Sequence, residues 1–253
     1  MLANILRPPP VIARTLVFAA LLGAWELASV AGHVSRFIAP PPSEIFPAIA
    51  TLFTDNDLVA AFLRTFGEVL AAAAIGSLLG MIVGWWLHHD KTAGRAFTDW
   101  IAATAAAPLV LLFPLFLVLF GRSSLTIIVM SIITGLAPIV IKTTEGLLGV
   151  RPVLMNVGKS LKLTDSQMFW KILMPAALPV LFSGIRLSWT FVLISVVGIE
   201  FLINLGGLGQ LINDLAERYD MPGTYAAISF VIIVSVVFFM ILERVETWLR
   251  PRN

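Results

Sequence analysis

Cysteine is absent from the 253-residue chain, so disulfides, iron–sulfur clusters and thiolate chemistry are all excluded. Histidine is scarce. His33, His88 and His89 are too few and too scattered for a metal site, and His88-His89 beside Asp90 and Lys91 reads as a solvated turn at a membrane edge. Charge is sparse as well: 13% of residues are Asp, Glu, Lys or Arg, with a formal net charge of +2. The pI near 9.2 therefore reflects loop lysines and arginines, not a nucleic-acid patch. No Gly-x-x-x-x-Gly-Lys-Ser/Thr phosphate loop occurs. The glycine-rich Gly206-Gly207-Leu208-Gly209 lacks the lysine, so no nucleotide site is expected in this chain. The apolar stretches hold no Ser/His or paired-Asp constellation, so no catalytic residue, metal or cofactor is expected.

What is present is apolar length. Hydrophobic residues make up 58% of the chain and the mean hydropathy is +0.94, far more than a soluble domain of this size needs. The pattern predicts a single all-α membrane domain over residues 1–253, with six stretches able to cross about 30 Å of hydrocarbon. They run roughly 12–32, 62–87, 98–120, 124–141, 177–199 and 223–244. Arg7 before the first stretch and Ser29-Val30-Ala31 after it would also suit a cleaved leader. The run is long for a leader and contains Glu26, so an uncleaved span is the better reading.

Lysine and arginine set the orientation. With the N-terminus inside, twelve of the 17 fall on inner segments and four on outer ones, while Arg186 lies within the fifth span. Both termini and the 142–176 loop are then cytoplasmic. Trp85, Trp86 and Trp100 bracket the short 88–97 turn, as interfacial aromatics do. Two outer segments read as structured: a short surface helix within 37–50, and a glycine turn followed by an amphipathic helix within 204–222.

The 142–179 region is a polar island with five basic residues, Lys142, Arg151, Lys159, Lys162 and Lys171, against Glu145 and Asp165. Leu154, Val157 and Leu161, with Met155 as a further candidate, recur at helical spacing opposite Lys159 and Lys162, which predicts one short amphipathic helix. Thr164-Asp165-Ser166-Gln167 reads as a capping box opening a second helix, with Met168, Phe169, Ile172 and Leu173 on one stripe. Pro175 is expected to end that helix and Pro179 to start the fifth span. The product is a two-helix elbow joined to a transmembrane helix through a proline hinge, suited to docking a cytosolic partner.

On these residues the island resembles the cytoplasmic loop of permease subunits of bacterial ATP-binding-cassette (ABC) importers. In that family a Glu-Ala-Ala, a Gly four residues later and a closing Leu-Pro mark the coupling helix. Counted back from Pro175, those positions fall on Asn156, Val157 and Gly158, on Lys162, and on Met174-Pro175. Asn156 and Lys162 thus replace the two most characteristic residues, and the extra lysine suggests an acidic counterpart on the partner. Ala107-Pro108-Leu109, Pro114 and Leu119-Phe120-Gly121 resemble the third span of the nitrate/sulfonate/taurine branch. Leu178-Pro179, Gly184-Ile185-Arg186, Glu200 and Gly207-Leu208-Gly209 resemble its fifth span and following loop.

The resemblance covers roughly residues 60–250. It implies an importer of two permease subunits, alike in this branch, two cytosolic ATPases that bind ATP and Mg, and an external substrate-binding protein. Asn156, Val157, Gly158, Lys159, Lys162, Leu163 and Pro175 would form the ATPase-coupling loop. The substrate is a small solute, with anions such as nitrate, a sulfonate or taurine weighted by the branch. A stand-alone secondary transporter is the alternative reading.

Ionisable groups inside spans are costly and imply partners. Glu26, Glu68, Arg186 and Glu200 stand out. Arg64 and Glu68, spaced i and i+4, are expected to pair. Arg186 and Glu200 are separated by about 21 Å at 1.5 Å per residue, too far to pair within one helix. Each must find a partner on another helix or line a translocation pathway.

Overall fold

The computed structural model describes residues 10–55 and 57–249. Arg7, Arg250 and Arg252, counted above for orientation, lie outside the described residues. Every described element is helical. In chain order these are α1 (Pro10–Val30), α2 (Pro42–Asp55), α3 (Leu58–His89), α4 (Lys91–Ala106), α5 (Phe113–Phe120), α6 (Ser124–Leu148), α7 (Pro152–Ser160), α8 (Asp165–Met168), α9 (Met174–Ile203), α10 (Leu208–Glu217) and α11 (Met221–Leu249). A 3-10 turn (Leu109–Leu112) precedes α5, and a π-helical turn (Phe169–Leu173) joins α8 to α9.

Five helices are long and apolar enough to span a membrane, and α4 with the segment after it makes a sixth only as a bent pair. The span expected over 98–120 is a bent one: Lys91–Ala106 and Leu109–Phe120 meet at 87°. Pro108 is the physical cause. It has no N–H to continue the ladder, and it holds Ala107 in the extended region at φ −74°, ψ 137°. Pro114 then sits in the first turn of α5, where a missing N–H is harmless.

The chain forms two compact units. The first comprises the N-terminal residues to Val59 with Leu211–Val231. Within it the Glu26 carboxylate accepts from the Ser43 hydroxyl at 2.7 Å and from the Ser43 N–H at 3.0 Å, so a charge inside the first span serves to cap α2. Tyr225 donates to the Ile38 carbonyl at 3.1 Å and packs its ring on Trp25.

The second unit comprises Ala60–Gln210 with Ile232–Asn253. Its centre is the closely packed α6–α9 pair. In hydrocarbon the hydrophobic effect does not drive helices together, so close van der Waals contact and hydrogen bonds must. Gly135 of α6 permits that approach: a Cβ there would lie 2.6 Å from Val192 and 2.9 Å from the Ser188 hydroxyl. Around the pair, Val69 and Ala72 of α3, Ile127 and Met130 of α6, Val196 and Ile199 of α9 and Phe238 of α11 close the core. Polar side chains tie it: Trp189 Nε1 donates to Ser77 Oγ at 2.9 Å, and Ser131 Oγ to Ser195 Oγ at 3.2 Å.

Candidate functional site

The polar island is an elbow, though shorter than the sequence suggests. Residues 142–148 continue α6, and Lys142 pairs with Glu145 at 2.7 Å on its surface. Pro152 occupies the first turn of α7, where its ring suits the helix. The capping box forms as read: the Gln167 N–H donates to Thr164 Oγ1 at 3.3 Å and the Thr164 N–H to Gln167 Oε1 at 3.2 Å.

Two readings of the prolines need correction. Pro175 does not end the second helix, and Pro179 does not start a new one. Both lie within continuous helix, which runs from Asp165 to Ile203 over 39 residues. A proline ring clashes with the carbonyl four residues back, here that of Lys171. Lys171 lies in the π-helical turn, where the helix is widened by one residue per turn and the clash is relieved. The elbow therefore enters α9 without a separate hinge.

Gly158 is the elbow's closest contact. It is buried, and a Cβ there would meet the Met168 side chain at 2.5 Å and Ile172 at 2.7 Å. Met155 packs on the cluster of Leu147, Leu173, Ala177 and Leu181. Of the stripe read from the sequence, Leu154, Val157 and Leu161 are exposed, together with Val153, while Met155 turns inward. Asn156, Lys159 and Lys162 are exposed too, and Leu163 is half-buried. The outward surface is thus apolar with basic edges.

Lys162 closes α7 in the left-handed conformation, with φ +53°. Its N–H donates to the Lys159 carbonyl at 2.9 Å, and the next N–H, of Leu163, donates to the Gly158 carbonyl at 3.1 Å. That pair of bonds is a Schellman closure, in which glycine is favoured at the left-handed position. Lysine stands where the resembling loops carry glycine, and the geometry there is the one glycine serves.

Arg186 and Glu200, on the same helix, each have a partner. Arg186 Nε lies 3.1 Å from Glu246 Oε2 on α11, and the Glu246 side chain is almost fully buried. Glu200 is fully buried. Its two carboxylate oxygens take the Thr65 hydroxyl at 2.8 and 2.9 Å, and Oε2 also accepts from the Gly209 N–H at 3.0 Å. The Leu208 N–H donates to Thr65 Oγ1 at 2.8 Å. Glu200 and Thr65 together satisfy the first amides of α10, where the helix dipole favours an anion.

Gly207 makes this possible. It takes φ +92°, and any Cβ would collide with the Glu200 carboxylate. Arg122 binds the carbonyls of Ile203 and Asn204 at 2.6 and 2.9 Å, capping the end of α9. Arg64 Nε sits 3.5 Å from Glu68, an ionic contact between i and i+4 residues. Thr65, Arg122 and Glu246 were not marked by the sequence as site residues, and Gly207 was marked only within its glycine turn. Only the neighbouring Arg64–Glu68 spacing hinted at Thr65, and Glu246 falls just past the expected sixth span.

Among the described residues, no group of three or more His, Asp or Glu side chains could hold a metal ion. Residues 76–253 match the family described as the binding-protein-dependent transport system inner membrane component. The formylaminopyrimidine transport permease protein ThiX of Halalkalibacterium halodurans is 24% identical over 241 residues, covering 94% of each chain. The nitrate import permease protein NrtB of Synechocystis sp. is 28% identical over 254 residues, covering 96% of this chain and 90% of that one. Among solved structures, the inward-facing MetNI methionine ABC transporter shares the fold, with a TM-score of 0.67 over 77% of this chain and 96% of that chain at 18% identity. With well over half its length in the match, the chain belongs to the binding-protein-dependent transport system inner membrane components and is an ABC-importer permease subunit.

Proposed function

We propose that the exposed face of α7 is the seat of a cytosolic ATPase, and that α8 and α9 carry the motion of that partner into the membrane. One observation supports this above the others: the elbow and α9 form one helix from Asp165 to Ile203. An outward face of Val153, Leu154, Val157 and Leu161 flanked by Lys159 and Lys162 suits a groove that is apolar with an acidic edge. Two copies of the chain would enclose the pathway in the bacterial inner membrane, with both termini and the elbow in the cytoplasm. An external binding protein would deliver the solute, and ATP and Mg would be bound by the ATPase pair, not by this chain.

Relatives are named for nitrate, bicarbonate and aliphatic sulfonates, which supports a small anion as the substrate. One relative is named for formylaminopyrimidine, so the selection is expected to rest on the binding protein. The paired state of Arg186 supports a role in joining α9 to α11 ahead of one in binding an anion.

The test is co-purification of the tagged chain from its native membrane with a P-loop ATPase. Val157→Glu, on the exposed face, should release that ATPase while the permease stays folded in the membrane. Retention of the ATPase by this variant, or no ATPase with the native chain, would remove the elbow from the coupling role.

A further inference from the structure

A cavity of about 740 Å³ lies within the second unit, beneath the elbow and away from the outward face of α7. Its size is that of a ligand pocket rather than of a packing defect, since such pockets run about 300–1,000 Å³. Four elements wall it at one end of the bundle: the last turns of α3, the last turns of α6, Met155 of α7, and the α8–π–α9 segment. The floor is buried and apolar, with Leu147 3% exposed, Leu173 8% and Leu181 2%. The mouth is apolar yet open: Leu78 is 58% exposed, Ile82 52% and Trp170 65%. Met81, Met155, Met168 and Met174 supply adaptable walls that can follow a flexible occupant.

Two polar atoms on this wall have no partner among the described residues: His88 Nδ1 and Thr143 Oγ1, both shielded from solvent. Thr143 as a whole is 2% exposed. The polar residues sit at one edge of the cavity, His88 and His89 ending α3 and Asp165 and Ser166 starting α8. The occupant this describes is amphiphilic, with a long flexible apolar part and a polar head.

Depth decides which amphiphile. Leu78, Ile82 and Trp85 lie on one face of α3, in the last apolar turns before His88, His89 and Asp90. That is where hydrocarbon gives way to headgroups, and an apolar mouth opening sideways there meets acyl chains. Water would not fill so apolar a space stably.

We propose that a glycerophospholipid of the leaflet on the elbow side inserts an acyl chain into this cavity, its head lying at the polar edge beside His88 and Ser166. The chain fills the gap between α3, α6 and the π-helical turn and so props the elbow against the bundle. The inference needs only a membrane-embedded chain and is independent of which ATPase or solute the importer uses.

Photolabelling of the complete importer, reconstituted with phosphatidylglycerol carrying a diazirine in mid-chain, tests it. Adducts should concentrate on peptides covering 78–89 and 165–174. Ile82→Trp and Ser166→Trp, both at exposed positions that leave the core intact, should each abolish that labelling by filling the mouth. His88→Ala should lower it severalfold while labelling of α1 is unchanged. Adducts spread evenly over α1 and α11, or undiminished in both tryptophan variants, would overturn the site. So would a crosslink from Ile82→Cys, clean in a chain without cysteine, to the ATPase or to a second copy of the permease, since either would then be the occupant.

Discussion

Lys162 offers the sharpest quantitative test of the elbow. It holds φ +53° to close α7. A residue with a Cβ is disfavoured in the left-handed region by about 1–2 kcal/mol. Glycine removes that strain but loses more backbone freedom on ordering, about 0.5–1 kcal/mol. Lys162→Gly should therefore stabilise the closure by a net of about 0.5–1 kcal/mol, or about two- to five-fold in its local opening equilibrium. The two amides to watch are those of Lys162 and Leu163, bonded to the carbonyls of Lys159 and Gly158.

Hydrogen exchange of the detergent-solubilised importer reads this opening directly. Exchange at these amides should slow about two- to five-fold in Lys162→Gly, with amides of α9 beyond Leu181 unchanged. Lys162→Val should accelerate it, because a branched Cβ tolerates positive φ least. Lys162→Asn removes the charge but keeps a residue that accepts the left-handed region, and so separates strain from electrostatics. Equal exchange in the glycine and valine variants would refute the left-handed closure at this position.

Four further outcomes follow from the contacts described. Thr164→Ala should cost the second elbow helix about 1 kcal/mol, seen as faster exchange over 165–169. Arg186→Gln should lower the stability of the folded permease by about 1–3 kcal/mol, since it leaves Glu246 buried beside an uncharged amide, and Glu246→Gln in the same chain should restore part of the loss. Thermal unfolding of the single and double variants checks this, and a loss of uptake with unchanged stability would instead place Arg186 in the pathway. Glu200→Gln should destabilise by about 1.5–3 kcal/mol through the loss of charge-assisted bonds to Thr65 and Gly209. Gly207→Ala should be more damaging than Gly198→Ala, since the first meets the Glu200 carboxylate while the second meets nothing within 4 Å; comparative membrane expression and melting would show it.

The six apolar stretches, the capping box at Thr164 and the short helix over 152–160 were legible because each is written in a local pattern. The break at Ala107-Pro108 was written there too, but hydropathy averages over a window and does not see a bend. Pro175 misled for the opposite reason: proline predicts a stop, and relief by the neighbouring π-helical turn depends on the path of the whole helix. The partners of Arg186 and Glu200 were beyond sequence reasoning altogether. Glu246 lies 60 residues after Arg186, and Thr65 lies 135 before Glu200, so only the fold brings them together. The outward direction of the α7 stripe was hidden as well. Periodicity says that Leu154, Val157 and Leu161 share a face, not what that face meets.

The unbroken run from Asp165 to Ile203 has a further consequence. At 1.5 Å per residue it is about 58 Å long, nearly twice the hydrocarbon thickness. One end holds the capped turn at Thr164, and the other holds the Glu200 carboxylate on the first amides of α10. If the π-helical turn and the two prolines do not bend under load, tilting this helix at one end swings the other in proportion to the distance from its fulcrum. The packing against Gly135 lies between the two ends and is the natural pivot. Opening on one face of the membrane and closing on the other would then need no relay of signals, only one rigid rotation seen from two sides.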